Sequence, residues 1–229
     1  MPTLLLVRHG RSTANTAGVL AGWTPGVELD DTGREQAASL VGRLSGLPLA
    51  HAVTSPLERC RQTLAPLLAA RPELGDAAVD ERLGECKYGD WTGRPLHELA
   101  KEPLWRTVQD HASAAAFPGG ESLRDLSHRT VEAVREWDAK VAAEHGDDAL
   151  WLACSHGDVI KAVVADALGL HLDQFQRISV DPCSVTAIRY TPHRPFLLRL
   201  GDTGGLAGLA PKQQPAQVPG GDAVVGGTS

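Results

Sequence analysis

Short apolar runs bounded by polar residues recur along the chain and predict strands. Three of them cover residues 4–7, 51–54 and 149–154. Runs of this length fit buried strands better than helices, which need ten or more residues. Two segments near the end, residues 184–191 and 196–200, have a similar character. We therefore predict five strands.

Apolar positions spaced three and four apart alternate with these runs and predict helices. The predicted helices cover residues 33–47, 56–70, 123–146 and 159–168, the second of them because Pro56 suits a first helical turn. Asp31 or Thr32 is a suitable N-cap for the first, and Gly169 can end the last. Strands and helices in alternation indicate a layered α/β domain around a largely parallel sheet.

We place this domain at residues 1–200. The remaining residues, 201–229, include eight Gly and three Pro and have no aromatic side chain. Such a composition offers little apolar surface to bury. We therefore predict a disordered C-terminal tail rather than a second domain.

Composition and charge narrow the class of protein. Hydrophobic residues make up 42% of the chain and charged residues 22%, and the formal net charge is −6. An acidic protein is poorly suited to bind nucleic acid or an anionic membrane, so we expect neither partner. No apolar run approaches the ~20 residues that cross a bilayer, and the N-terminus lacks the pattern of a secretory signal. With four widely spaced cysteines, the chain is predicted to be cytoplasmic.

Two predicted strands each end in a His-Gly pair, at His9 and at His156. Ligands of α/β sheets bind beyond the carboxyl ends of the strands, so both histidines can face one pocket if their strands are neighbours. A metal site is one possible use, with Asp158 as a further ligand. Because Arg8 and Arg11 flank the first histidine, a bound phosphate or carboxylate fits better than a metal cation.

The sequence resembles the histidine phosphatase superfamily, branch 1, whose members include phosphoglycerate mutases. The resemblance extends from residue 1 to about residue 200, and its motifs occur in the family's order. The motifs are Arg8-His9-Gly10-x-Ser12-x-x-Asn15, Ser55-Pro56-Leu57-x-Arg59-x-x-Gln62-Thr63, Glu85 with Gly89 and Trp91, Pro118-Gly119-Gly120-Glu121-Ser122, and Ser155-His156-Gly157. The family resemblance implies a three-layer α/β/α sandwich.

The resemblance also implies roles for individual residues. His9 is expected to be the nucleophile that becomes phosphohistidine, and Glu85 the general acid and base. Arg8, Arg59 and His156 are expected to bind the phosphoryl group and support catalysis. Asn15, Gly22 and Gly157 complete the expected phosphate and substrate contacts. The family chemistry requires no metal and no cofactor.

Three functions remain open at this point. Hydrolysis of a small phosphorylated metabolite is favoured, because the chain has Glu85-Cys86-Lys87-Tyr88-Gly89 where mutases typically have Glu-Arg-His-Tyr-Gly. It also lacks the Arg-Arg pair by which mutases hold a substrate carboxylate. The first alternative is a phosphomutase, and the second is a phospholigand-binding module without catalysis.

Two further expectations concern the surroundings of the pocket. Residues 95–117 are expected to form a cap, with Trp105 and His111 as candidate lining residues and Trp105 equally a candidate for the core of the cap. Glu121 is expected to serve as a favourable charge at the start of the long helix. The oligomeric state and the identity of the substrate are left open.

Overall fold

A six-stranded sheet in the order β3-β2-β4-β1-β5-β6 organises the chain. A computed structural model describes residues 2–205. The strands are β1 (Thr3–Arg8), β2 (Leu49–Thr54), β3 (Ala78–Val79), β4 (Leu150–Ser155), β5 (Val185–Arg189) and β6 (Phe196–Asp202). The three pairings among β1 to β4 are parallel, and β5 and β6 are antiparallel to their neighbours.

Helices lie on both faces of this sheet. The α-helices are α1 (Thr13–Ala17), α2 (Asp31–Leu44), α3 (Glu58–Ala70), α4 (Leu96–Leu99), α5 (Pro103–Asp110), α6 (Leu123–His145) and α7 (Gly157–Ala167). Five 3-10 turns occupy Pro72–Leu74, Glu81–Leu83, Gly89–Trp91, Ala112–Ala114 and Leu172–Arg177.

The side chains of β1 alternate between two hydrophobic clusters. Leu4 and Leu6 pack in a cluster with the buried faces of α6 and α7, whereas Leu5 and Val7 pack in a cluster with α2 and α3. Successive side chains of a strand point to opposite faces, so β1 has to be covered on both sides. This confirms the three-layer α/β/α sandwich with a mostly parallel sheet.

The element boundaries differ from the sequence-based ones in a few places. The N-cap of α2 is Asp30, whose side chain accepts a hydrogen bond from the Gly33 amide at 2.8 Å. The two-residue β3 is too short to give a hydropathy signal. Strand β6 extends to Asp202, two residues past the predicted boundary at residue 200. Residues 206–229 of the predicted tail lie outside the described residues.

Candidate active site

His9 and His156 meet at the carboxyl ends of two adjacent parallel strands. Arg8 and Ser155, the last residues of β1 and β4, are paired in register. The next residue of each strand is a histidine, and the two ring centroids are 5.1 Å apart. Both rings are fully buried. The neighbouring strands that the sequence argument required are therefore present.

Arg59, in the first turn of α3, bridges the two histidines. Its Nε lies 3.3 Å from His9 Nε2, and its Nη2 lies 3.2 Å from His156 Nδ1. Nη2 also donates to the carbonyl oxygen of Gly22 at 3.0 Å. A guanidinium has only donors, so both histidine nitrogens that it contacts must carry lone pairs.

The protonation of His9 follows from this contact. Its proton is on Nδ1, which lies 2.8 Å from the carbonyl oxygen of Gly10 and can donate to it. Burial, then the charges of Arg59 and Arg8, hold the pKa of His9 well below its usual value. The ring is therefore neutral near pH 7, with the Nε2 lone pair available for attack.

His156 and Arg8 complete the basic part of the site. Burial and the charge of Arg59 also lower the pKa of His156 well below its ordinary value, and its Nε2 lies 2.8 Å from Ser55 Oγ. Burial lowers the pKa of Arg8 to about 10, which leaves it charged at neutral pH. The Arg8 guanidinium donates to the Val180 carbonyl oxygen.

Glu85 lies in the segment between two 3-10 turns and approaches the same nitrogen of His156 that Arg59 contacts. Its Oε2 is 3.8 Å from His156 Nδ1, and its Oε1 accepts a hydrogen bond from the Cys86 amide at 2.9 Å. Burial and then the nearby charge of Asp158 raise the pKa of Glu85 to about 7, against the opposing influence of Arg59. A carboxyl with this pKa can both give and accept a proton near neutral pH.

The three remaining predicted contacts are Gly22, Gly157 and Asn15. Gly22 has φ +50°, and a Cβ there would lie 3.1 Å from Tyr88 and Thr92 atoms. Gly157 is the first residue of α7, whose N-cap is His156. Asn15 is buried, and its Oδ1 accepts from the Ser12 amide at 2.8 Å in a capping box that starts α1. The phosphate and substrate contacts predicted for these three residues stay predictions.

Two side chains that the sequence analysis missed hold the Glu85 segment in place. Trp23 Nε1 donates to the Glu85 carbonyl oxygen at 2.6 Å. Arg129, on α6, donates to the same oxygen at 3.0 Å and to the carbonyl oxygen of Gly84 at 2.9 Å. Glu121 binds Arg129 through both carboxylate oxygens, at 2.5 and 2.9 Å. Glu121 precedes Ser122, the N-cap of α6, so no helical spacing in the sequence links it to Arg129.

The predicted cap residues lie in different surroundings. Trp105 is half-buried and stacks on Trp91, with ring centroids 6.2 Å apart, so it belongs to the core beneath the cap. His111 is exposed at the end of α5. Within residues 2–205, no group of three or more His, Cys, Asp or Glu side chains is arranged to hold a metal ion. No helix in the same range is long and apolar enough to span a bilayer.

Comparisons with known proteins agree with this geometry. The family model described as histidine phosphatase superfamily (branch 1) matches residues 4–203. A 2,3-bisphosphoglycerate-dependent phosphoglycerate mutase 2 of Gloeobacter violaceus is 30% identical over 193 residues, which cover 83% of this chain and 86% of that protein. A probable phosphatase of Schizosaccharomyces pombe is 32% identical over 196 residues, covering 83% and 88%.

A solved structure shows the same similarity in three dimensions. The crystal structure of a putative alpha-ribazole-5'-P phosphatase from Escherichia coli has a TM-score of 0.74 and 26% sequence identity. The match covers 88% of this chain and 96% of that one. With the family model spanning nearly all of the described residues, the chain belongs to the histidine phosphatase superfamily, branch 1.

Proposed function

We propose that this protein hydrolyses small phosphomonoesters through a phosphohistidine formed at His9 Nε2. The contact that supports this most directly is that of Arg59 with His9, because it leaves the lone pair on Nε2. Arg59 also bridges to His156, so a guanidinium and two imidazoles surround the point of attack. A developing phosphoryl charge needs such a cationic and hydrogen-bonding environment.

In the first half-reaction, the Nε2 lone pair of His9 attacks phosphorus and the bond from phosphorus to the ester oxygen breaks. Glu85 gives its proton to that oxygen, so the alcohol leaves neutral. The Arg59 N–H groups turn from the histidine nitrogens to the phosphoryl oxygens, and Arg8 adds a second positive charge.

In the second half-reaction, water attacks the phosphorus of phosphohistidine. Glu85, now a carboxylate, takes a proton from this water, and the N–P bond electrons return to His9 Nε2. Inorganic phosphate leaves, and both residues regain their starting protonation. The Glu85 pKa of about 7 suits a group that reverses its role within one turnover.

The test is phosphate release from a panel of phosphomonoesters in EDTA, with p-nitrophenyl phosphate included. His9→Ala should lower the rate by at least ~10³-fold, because the attacking atom is lost. His128→Ala, at an exposed position on α6, is the matched control and should retain full activity. Normal turnover by His9→Ala would show that His9 is not the nucleophile.

Glu85→Gln tests whether Glu85 is the general acid of the reaction. We expect a loss of roughly 10²-fold or more on alkyl phosphates, whose alkoxide leaving groups need a proton. The loss on p-nitrophenyl phosphate should be much smaller, because nitrophenolate leaves without one. Rates that fall equally on both substrates would argue against an acid role for Glu85.

A phosphomutase is the second candidate, favoured by the likeness to the Gloeobacter mutase. The Cys86-Lys87 pair after Glu85, and the absence of adjacent arginines between Glu85 and His156, support hydrolysis over transfer. An assay with 3-phosphoglycerate and a 2,3-bisphosphoglycerate primer distinguishes the two. Formation of 2-phosphoglycerate faster than phosphate would identify a mutase, and inactivity in both assays would point to a binding module.

We also propose that the protein acts in the cytoplasm on a free metabolite rather than on nucleic acid. The net charge of −6 and four buried cysteines, all free thiols, support this assignment. Fractionation of the source cells with an antibody to this chain tests the compartment. Retention on immobilised DNA at physiological salt would contradict the nucleic-acid part.

A further inference from the structure

Asp158 is a buried carboxylate next to the active site that the proposed mechanism does not use. It lies in the first turn of α7, two residues after His156, and is 1% exposed. Its Oδ2 accepts a hydrogen bond from Tyr88 Oη at 2.8 Å. Within residues 2–205, its Oδ1 is buried and accepts no hydrogen bond. The sequence allowed a metal ligand here, but the structure gives Asp158 a tyrosine partner.

Two neighbours of Asp158, Tyr88 and His156, connect it to Glu85. Tyr88 belongs to the same segment as Glu85, three residues further along the chain, and its buried ring packs edge-on against Phe117 at 5.0 Å. On the other side, His156 Nδ1 is 3.8 Å from Glu85 Oε2. The hydrogen bond from Tyr88 to Asp158 therefore links the start of α7 to the Glu85 segment.

We propose that Asp158 is a positioning residue whose buried negative charge keeps the Glu85 carboxyl protonated before each turnover. In the proposed mechanism this proton goes to the leaving oxygen of the ester, so the inference rests on the proposed function. Two carboxyls buried close together do not both ionise readily, because each negative charge disfavours the other. One of them takes the charge and the other keeps the proton.

The surroundings decide which carboxyl ionises first. Three groups favour the charged form of Asp158. Lys161, on the same helix and 2% exposed, brings a positive charge, and Arg8 adds another from β1. Tyr88 donates a hydrogen bond to the carboxylate. Burial raises the pKa of Asp158, but these three groups act against that rise. The inference therefore assigns the negative charge of the pair to Asp158.

Glu85 faces a different set of groups. The charged and titratable groups around it are Arg8 from β1, Arg59 from α3, His156, Asp158 and Lys161 from the start of α7, Arg129 from α6, and Cys86 and Tyr88 from its own segment. Among the charged groups, Asp158 has the largest influence on the pKa of Glu85, and it raises it. Removing this charge should therefore make Glu85 easier to ionise.

The experiment is a pH titration of the full chain carrying ¹³C-labelled glutamate carboxyls, with the Glu85 signal assigned by its loss in Glu85→Gln. In Asp158→Asn, the midpoint of Glu85 should fall by about one pH unit. Tyr88→Phe keeps the ring and removes the donor to Asp158, so a smaller fall is expected. Asp138→Asn is the matched control, since Asp138 is also buried and accepts one aromatic N–H, from Trp151 at 3.0 Å.

The same variants are then assayed over pH with an alkyl phosphate. The alkaline limb of kcat should move to lower pH in Asp158→Asn by the same amount as the NMR midpoint, and stay in place in Asp138→Asn. A Glu85 midpoint that is unchanged or raised in folded Asp158→Asn and Tyr88→Phe overturns the inference. If the unsubstituted protein releases no phosphate, only the proposed function fails, because the NMR titration needs no turnover.

Discussion

The carboxyl of Glu85 illustrates a conflict between stability and chemistry. It is 6% exposed and has a pKa of about 7, so the folded protein holds a proton that the unfolded chain releases at lower pH. A group with a raised folded pKa stabilises less as pH rises from its unfolded to its folded value. Glu85 therefore weakens the fold at neutral pH while supplying the proton that the proposed reaction needs.

Glu85→Gln should abolish this loss of folding stability with rising pH. Between pH 5 and pH 8, the free energy of unfolding of the variant should rise by about 2 kcal/mol relative to the unsubstituted chain, because glutamine has no proton to lose. The lowered pKa values of His9 and His156 affect both chains equally and cancel in the comparison. Urea unfolding at the two pH values measures the difference. A constant difference would mean that Glu85 titrates normally in the folded state.

The packing of α2 against the loop that follows β1 depends on two glycines. A Cβ on Gly33, in the first turn of α2, would lie 1.9 Å from the carbonyl oxygen of Arg11, and one on Gly10 would lie 2.7 Å from the carbonyl oxygen of Gly33. Backbone meets backbone here, with no side chain to move aside. This contact packs α2 against the backbone of residues 10 and 11, directly after His9.

Gly33→Ala should force α2 away from that loop. We expect a loss of more than ~2 kcal/mol in unfolding free energy, because the overlap is with backbone, together with lower kcat. Gly42→Ala on the same helix is the control. It is exposed with nothing within 4 Å of the added Cβ, so its better helix propensity should stabilise the protein by about 0.5–1 kcal/mol. Thermal unfolding measures the stability of the two variants, and phosphate release measures their activity. Similar results for Gly33→Ala and Gly42→Ala would contradict the role of this backbone packing.

The antiparallel strands β5 and β6 form one edge of the sheet. The pairing reaches Asp202, which lies opposite Val185, and Arg43 on α2 donates to the Asp202 carbonyl oxygen at 2.6 Å. Strand β6 is thus fastened to the sheet and to a helix on one face. These contacts place residues 201 and 202 in the sheet.

We expect a chain truncated after residue 205 to keep its activity and its unfolding midpoint. A chain truncated after residue 195 loses β6 and exposes the edge of β5, so its Tm should fall by at least several degrees. Circular dichroism melting and phosphate release compare the two truncations with the full chain. Loss of activity on removing only residues 206–229 would show that the tail contributes to the domain.

The family, the layered fold and the meeting of two histidines at the strand ends could be predicted from the sequence alone. The strand-His-Gly repeats predicted where His9 and His156 would meet, because parallel strands present their carboxyl ends at one edge. Helix α6 was predictable because its apolar spacing reflects burial of one face, and the apolar positions of α7 were visible although nearly all of its residues are buried. Local patterns of this kind are encoded within a few turns of chain.

The electrostatics of the site and the hydrogen bonds that support its backbone could not be predicted from the sequence. The tautomer of His9 depends on Arg59, 50 residues away, and the support of the Glu85 backbone depends on Trp23 and Arg129. None of these contacts leaves a periodic trace in the sequence. Charges in a buried site interact strongly over several ångströms, so the protonation of Glu85 depends on which distant residues the fold brings beside it. Asp158, 73 positions away in the chain, is the clearest example.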